Sequence, residues 1–299
     1  MATTLRTNET TPDAPDIETR MRIEVRDIGI PPRPAILEQI DREMRRDEPD
    51  YRRLAEVIGS DVGLAASLIK TTNSPYFGFA RKIRSVQEAL LVLGLKVIVR
   101  TVAGLALQKT FPHVPSLERF WDASASTARV SGWLAQTLGR QCRVKADHAY
   151  TFALFRDCGV PVLMIPFPEY PAVLKAANEE PDQPFTAVED RLMSINHAMV
   201  GAELAENWLL PEDIFLAIRH HHDLAALTAV GEGALPESAC AVIAVAQTAE
   251  YLLQRHTGRN RTCEWKKLGS ACCDFLQLGE ADLESLFDAS REAVFAQGD

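Results

Sequence analysis

Apolar residues recur along this chain at intervals of three and four, the spacing of one face of a helix. The stretch PAILEQIDREMRR places Ile36, Leu37, Ile40 and Met44 on one side. DYRRLAEVIGS follows, with Asp50 as its N-cap candidate and Leu54, Val57 and Ile58 facing in. Asp61 opens a third helix with Leu64, Leu68 and Ile69 inside. Ser85 and Glu88 have capping-box spacing ahead of an apolar run, and Gly94 ends or kinks that helix. LKVIVRTVAGLALQ resumes as a mostly apolar, central helix.

The second half repeats the pattern. Ser116 opens LERFWDASASTARVSGWLAQTLG, and ADHAYTFALFRDCG follows as a helix running into a glycine corner. Thr186 and Glu189 form a second capping box before DRLMSINHAMVGAELAENW, read as one helix with His197 inside it. Pro211 breaks that helix before EDIFLAIRHHHD, and SACAVIAVAQTAEYLLQRH and ADLESLFDASREAVF complete the series. No run alternates apolar and polar for long enough to suggest a sheet, so the expected fold class is all-α.

Composition adds boundaries to this picture. Residues 1 to about 20 are rich in Thr, Pro and acids and read as a disordered tail. Apolar content of 46% and charged content of 24% suit a globular chain with an ample core. A net charge of −9 argues against an electrostatic grip on nucleic acid or anionic lipid. The six cysteines form no CxxC pair and read as reduced thiols. No signal-peptide core and no apolar run of about 18 residues is present, so a cytoplasmic protein with no membrane partner is expected.

Candidate chemistry is sparse. No GxSxG, P-loop or GxGxxG motif occurs. Trp121, Trp133 and Trp208 fall at helical core positions, and His113 and His148 read as surface residues. Arg156-Asp157 is a charged pair in an apolar segment, costly unless paired or bound to something. His221 and His222 lie on the apolar face of their helix, with His220 towards the polar side. Converged with His197 and an Asp, they could hold a metal or a phosphate. Spacing alone favours buried, backbone-bonded histidines, because nothing in the sequence places Asp157 beside them.

Several motifs in order resemble the HDOD (HD-related output domain) family of bacterial signalling proteins, from about Ile28 to Asp223. They are IPPRPAILEQI, then SDVGLAASLIKTTNSPYFGFARKIRSVQEALLVLG, then HAMVGAELAENWLLPEDIFLAIRHHHD. The resemblance implies a helical bundle in two lobes, the second similar to HD and HD-GYP metal phosphohydrolases. It implies an HDOD domain over 21–225, divided at about residue 112, and C-terminal helices over 226–299 packed on the HD-like lobe. Carried over position by position, Asp157, His197, His221 and His222 keep metal-ligand types. Ala123, Arg156 and Gln247 stand where His, His and Asp would be. Arg has no lone pair to offer a metal.

The resemblance therefore implies a non-enzymatic regulatory protein with no metal and no cofactor, acting on a regulatory protein partner or a small nucleotide. Arg156, Asp157, His197, His221 and His222 would form a ligand-binding or structural polar cluster. The alternatives are a divergent metal phosphohydrolase on the four retained residues and a nucleotide sensor at the former active site. With no room for a receiver domain on this chain, input is expected by non-covalent binding. The NSPYFGF loop, with Tyr76 and Phe77 packed inward, is expected to staple the two lobes.

Overall fold

The computed structural model describes residues 30–73, 77, 79, 81–111, 115–229, 231, 234–259 and 261–291. The expected N-terminal tail, His113, and Tyr76 with most of its loop lie outside them. Among the described residues every regular element is a helix, as the periodicity requires.

The first helices are α1 (Ala35–Met44), α2 (Tyr51–Gly59), α3 (Val62–Thr72), α4 (Val86–Leu93) and α5 (Leu95–Thr110). Asp50 caps α2 by accepting from the Arg52 and Arg53 amides, and Asp61 caps α3 through the Leu64 amide. The Ser85 hydroxyl accepts from the Glu88 amide, but the Glu88 carboxylate turns to the Arg84 amide, so only half of that capping box forms. Gly94 joins α4 to α5 at φ +76°, a left-handed backbone that a side chain would strain. Leu37, Leu54, Ile58, Leu64, Leu68 and Ile98 are sealed inside this group.

The longest element, α6 (Pro115–Leu138), lies along α7 (Ala146–Phe155) and α14 (Glu237–Thr257). The intervening helices are α8 (Gly159–Met164), α9 (Tyr170–Glu179), α10 (Phe185–Met193), α11 (His197–Asn207), α12 (Glu212–His220) and α13 (Leu224–Thr228). Helices α15 (Glu264–Leu276) and α16 (Glu280–Ala289) close the chain, α15 packing on α14. The Ala239–Ala246 stretch of α14 is buried on every face, so this helix runs through the core rather than over it. Helix α5 packs on both α3 and α7, and one hydrophobic core joins the two halves. Trp208, 1% exposed, reinforces the join by donating its indole N–H to the Pro31 carbonyl at 3.1 Å.

Two sequence expectations are corrected where the site is built. The expected single helix over DRLMSINHAMVGAELAENW is two, α10 and α11. Ser194 turns the chain at φ +59°, and Asn196 caps α11 through the Met199 amide, so His197 is the first residue of a helix, not a middle one. The expected Thr186/Glu189 capping box does not form, because α10 starts from Pro184 without a side-chain cap. Glu189 is instead fully buried.

Candidate metal centre and adjoining cleft

Asp157 lies in the turn between α7 and α8, His197 opens α11, and His221 and His222 follow directly on α12. A tight helix crossing brings them together. A Cβ on Gly159 would meet the His197 carbonyl at 2.0 Å and the Gly201 amide at 2.8 Å, so only glycine lets α8 press onto α11.

Spacing alone did not place Asp157 beside the histidines, and the structure brings the four together. His197 Nε2 lies 3.4 Å from His221 Nε2 and 3.2 Å from His222 Nε2. Asp157 Oδ1 lies 3.2 Å from His221 Nε2 and 3.5 Å from His197 Nε2. All four donor atoms fall within 4.8 Å of one another. A tetrahedron with zinc–nitrogen bonds of about 2.0–2.1 Å has edges of roughly 3.3–3.4 Å.

The outer ring of contacts fixes which nitrogen faces inward. His197 Nδ1 is 2.8 Å from Glu189, His221 Nδ1 is 2.7 Å from the Ile218 carbonyl, and His222 Nδ1 is 2.5 Å from Glu264. Each Nδ1–H donates to its acceptor, which turns the Nε2 atoms of His197, His221 and His222 towards one another, with those of His197 and His221 also facing Asp157 Oδ1. Lone pairs so arranged repel unless a cation sits among them. The donor set, its spacing and its supporting carboxylates fit a zinc-type ion, which Asp157, His197, His221 and His222 would hold. Without an ion, a proton takes that role. Burial alone would lower the His197 pKa, but the Glu189 charge and the Asp157 hydrogen bond push it up to about 10. Burial and His222 push His221 down to about 3. His222 and Lys267 overcome burial to hold Glu264 down at about 2. Tyr170 hydrogen-bonds Glu189, and Phe185 stacks on His222 and meets His197 edge-on, sealing the centre.

The other Asp157 oxygen faces different chemistry. Oδ2 accepts from Arg156 Nε at 3.0 Å, and Arg156 Nη2 reaches Glu250 of α14 at 2.8 Å. Burial would raise the Asp157 pKa, yet Arg156 and the two histidines hold it well below the ordinary carboxylate range. Arg156 and Asp157 open onto a cleft of about 850 Å³ between α6, α7 and α14, and Ala123 forms part of its wall. Gln247 is buried on α14 and its amide donates to Glu250 at 3.4 Å.

Sequence reasoning named the four donors but missed Glu189, Glu250 and Glu264, which orient or neutralise them. Glu189 carried a misleading capping signal, and nothing local marks Glu264, which lies 42 residues from His222. His148 is also corrected. It is half-buried, with Nε2 2.6 Å from Arg100 Nη2 and Nδ1 3.6 Å from Asp213.

The HDOD domain family matches residues 30–224. The chain belongs to the HDOD family. An uncharacterized protein of Treponema pallidum is 29% identical over 199 residues, which are 65% of this chain and 38% of that protein. YuxH of Bacillus subtilis is 32% identical over 60 residues, 20% of this chain and 15% of YuxH. The chain thus spans well under half the length of these curated relatives. An HDOD domain protein of unknown function from Geobacter sulfurreducens superposes with a TM-score of 0.59 at 22% identity, covering 91% of this chain and 99% of that one. A candidate signal transduction protein from Marinobacter aquaeolei gives 0.65 at 22% identity, over 94% and 64% of the two chains. A candidate phosphohydrolase from Shewanella amazonensis gives 0.67 at 16% identity, over 93% and 96%. These likenesses show the HDOD-type fold. No helix among the described residues is long and apolar enough to cross a membrane.

Proposed function

We propose that this HDOD chain is a non-enzymatic regulatory protein that signals by binding a partner protein or small ligand, its histidine centre holding helices rather than turning over substrate. The observation that carries this reading is the two-sided setting of Asp157, with Oδ1 towards the imidazoles of His197 and His221 and Oδ2 towards Arg156. A hydrolytic metal site keeps one coordination position open. Here four protein donors lie within 4.8 Å of one another, enough to fill a four-coordinate ion's positions, and a guanidinium tied to Glu250 occupies the outer side of the carboxylate. Ala123 in the cleft wall offers no donor for a second cation.

A zinc-type ion would supply a cross-link between the α7–α8 turn, α11 and the end of α12. This chain's own residues do the rest. Glu189 and Glu264 orient two imidazoles, Phe185 excludes water, and Arg156 balances the outer carboxylate oxygen. The net charge of −9 supports a protein or small-molecule partner over nucleic acid. All six cysteines are unpaired thiols, which supports a reducing, cytoplasmic setting.

The test is an assay of cyclic dinucleotides, linear dinucleotides and a generic phosphodiester with added Mn²⁺, Mg²⁺ or Fe²⁺. No turnover is expected. Metal-dependent hydrolysis that disappears in His197→Ala or Asp157→Ala would overturn the reading in favour of a divergent phosphohydrolase.

A further inference from the structure

The cleft holds a second, unlike arginine. On α6, Arg119, Ala123, Ser126 and Arg129 follow one another at spacings of four, three and three, so they share the face that lines the cleft. Arg129 is half-buried, with its Nε shielded from solvent. One terminal nitrogen donates to the Ser126 hydroxyl at 3.1 Å, its Nε has no acceptor, and no carboxylate among the described residues pairs with it. Burial pulls its pKa below the ordinary guanidinium value, with Tyr150 and Asp122 opposing at longer range. Arg156 is the contrast, since both of its carboxylate partners are in contact. A cation taken out of water with donors unused is costly. An oxyanion meeting the planar fork of a guanidinium removes that cost.

We infer that this cleft binds a small phosphorylated molecule, its phosphate on Arg129. Arg119, Lys70 from α3 and Arg259 beyond α14 also line the cleft, and none has an ion-pair partner among the described residues. Asp122 is the one lining carboxylate not engaged by Arg156. A volume of about 850 Å³ suits a nucleotide-sized ligand. The three lining carboxylates and the overall charge of −9 disfavour a polyanion. Because Lys70 comes from the first group of helices and Arg129 from the second, a ligand reaching both would couple them. This goes beyond the proposed regulatory role and places the ligand on Arg129 rather than on Arg156 and the histidines.

The test uses the full chain, with adenosine 5′-monophosphate and adenosine as probes in calorimetric titration and thermal melting. The nucleotide is expected to bind and raise the melting temperature, and the nucleoside is not. Arg129→Gln should weaken nucleotide binding by about tenfold or more, the effect of losing a charged hydrogen-bond donor. Without ligand, Arg129→Gln should melt no lower than wild type, since it breaks no ion pair. Arg53→Gln, at an exposed arginine on α2 that does not line the cleft, should bind like wild type. No nucleotide binding at millimolar concentration, equal binding of the nucleoside, or unchanged binding in Arg129→Gln would each overturn the inference. The probe has no phosphodiester bond, so the result is independent of the hydrolysis assay.

Discussion

The two oxygens of Asp157 face two regions that solve the same electrostatic problem differently. On the Oδ1 side, three buried imidazoles turn their lone pairs inward, and two of them are held from behind by Glu189 and Glu264. On the Oδ2 side, Arg156 supplies the positive charge covalently and Glu250 balances it. The first region requires a cation from outside, whether a metal or a proton. The second carries its own. An arginine can thus serve as an internal counter-charge on one side of a carboxylate while imidazoles gather on the other.

The sharpest way to break this comparison is to remove the built-in charge. Arg156 has only 9% of its side chain exposed, and Arg156→Ala leaves Glu250 and Asp157 facing each other without a cation. The expected loss is about 3 kcal/mol, the lower end for breaking a buried pair because Asp157 is 26% exposed. Denaturant titration reads it. Adding Glu250→Gln to Arg156→Ala should recover part of the loss, since one stranded charge is gone.

The helix crossing comes next. Gly159→Ala forces a methyl against the His197 carbonyl and should cost up to about 3 kcal/mol, as overpacking a core does. It should also weaken divalent-ion uptake by shifting α8 from α11, whereas Gly59→Ala, with nothing near its Cβ, should change neither.

A smaller effect separates the centre from its support. Glu189→Gln keeps the shape and can still accept from His197 Nδ1, but it removes the charge. Outer-shell changes of this kind weaken metal affinity by about 10–100-fold. Competition with a chelator measures that, and an unchanged affinity would show that Glu189 only fills space.

The smallest expected effects lie in the first group of helices. Asp61→Ala removes the α3 cap and should cost about 1 kcal/mol. Phe77, from the loop expected to staple the lobes, is half-buried and stacks on Phe79 at 6.2 Å between ring centres. Phe77→Ala should therefore fall below the roughly 3–5 kcal/mol of a fully buried phenylalanine.

Much of the fold was legible because it is written locally. The helix starts at Asp50, Asp61 and Ser85 and the turn at Gly94 are signals read within four residues. The centre was legible only in part. His221 and His222 declare a buried face by their spacing from Ile214 and Ile218, but Asp157 lies 64 residues from His221. Only the tertiary crossing at Gly159 joins them. The family resemblance named the same four residues and, through Ala123, Arg156 and Gln247, led to the expectation of no metal. Position-by-position comparison could not reveal that the four retained donors lie within 4.8 Å of one another. Glu189 was misread for the same reason, because a capping box and an outer-shell carboxylate look identical in sequence.

The most direct test of the central claim is the visible absorption spectrum of the untagged protein loaded with cobalt(II). A closed four-donor centre predicts one ion per chain with the intense bands of tetrahedral cobalt, lost in His221→Ala and unchanged by phosphate esters. Weak six-coordinate bands, a spectrum that responds to phosphate esters, or no uptake would contradict it.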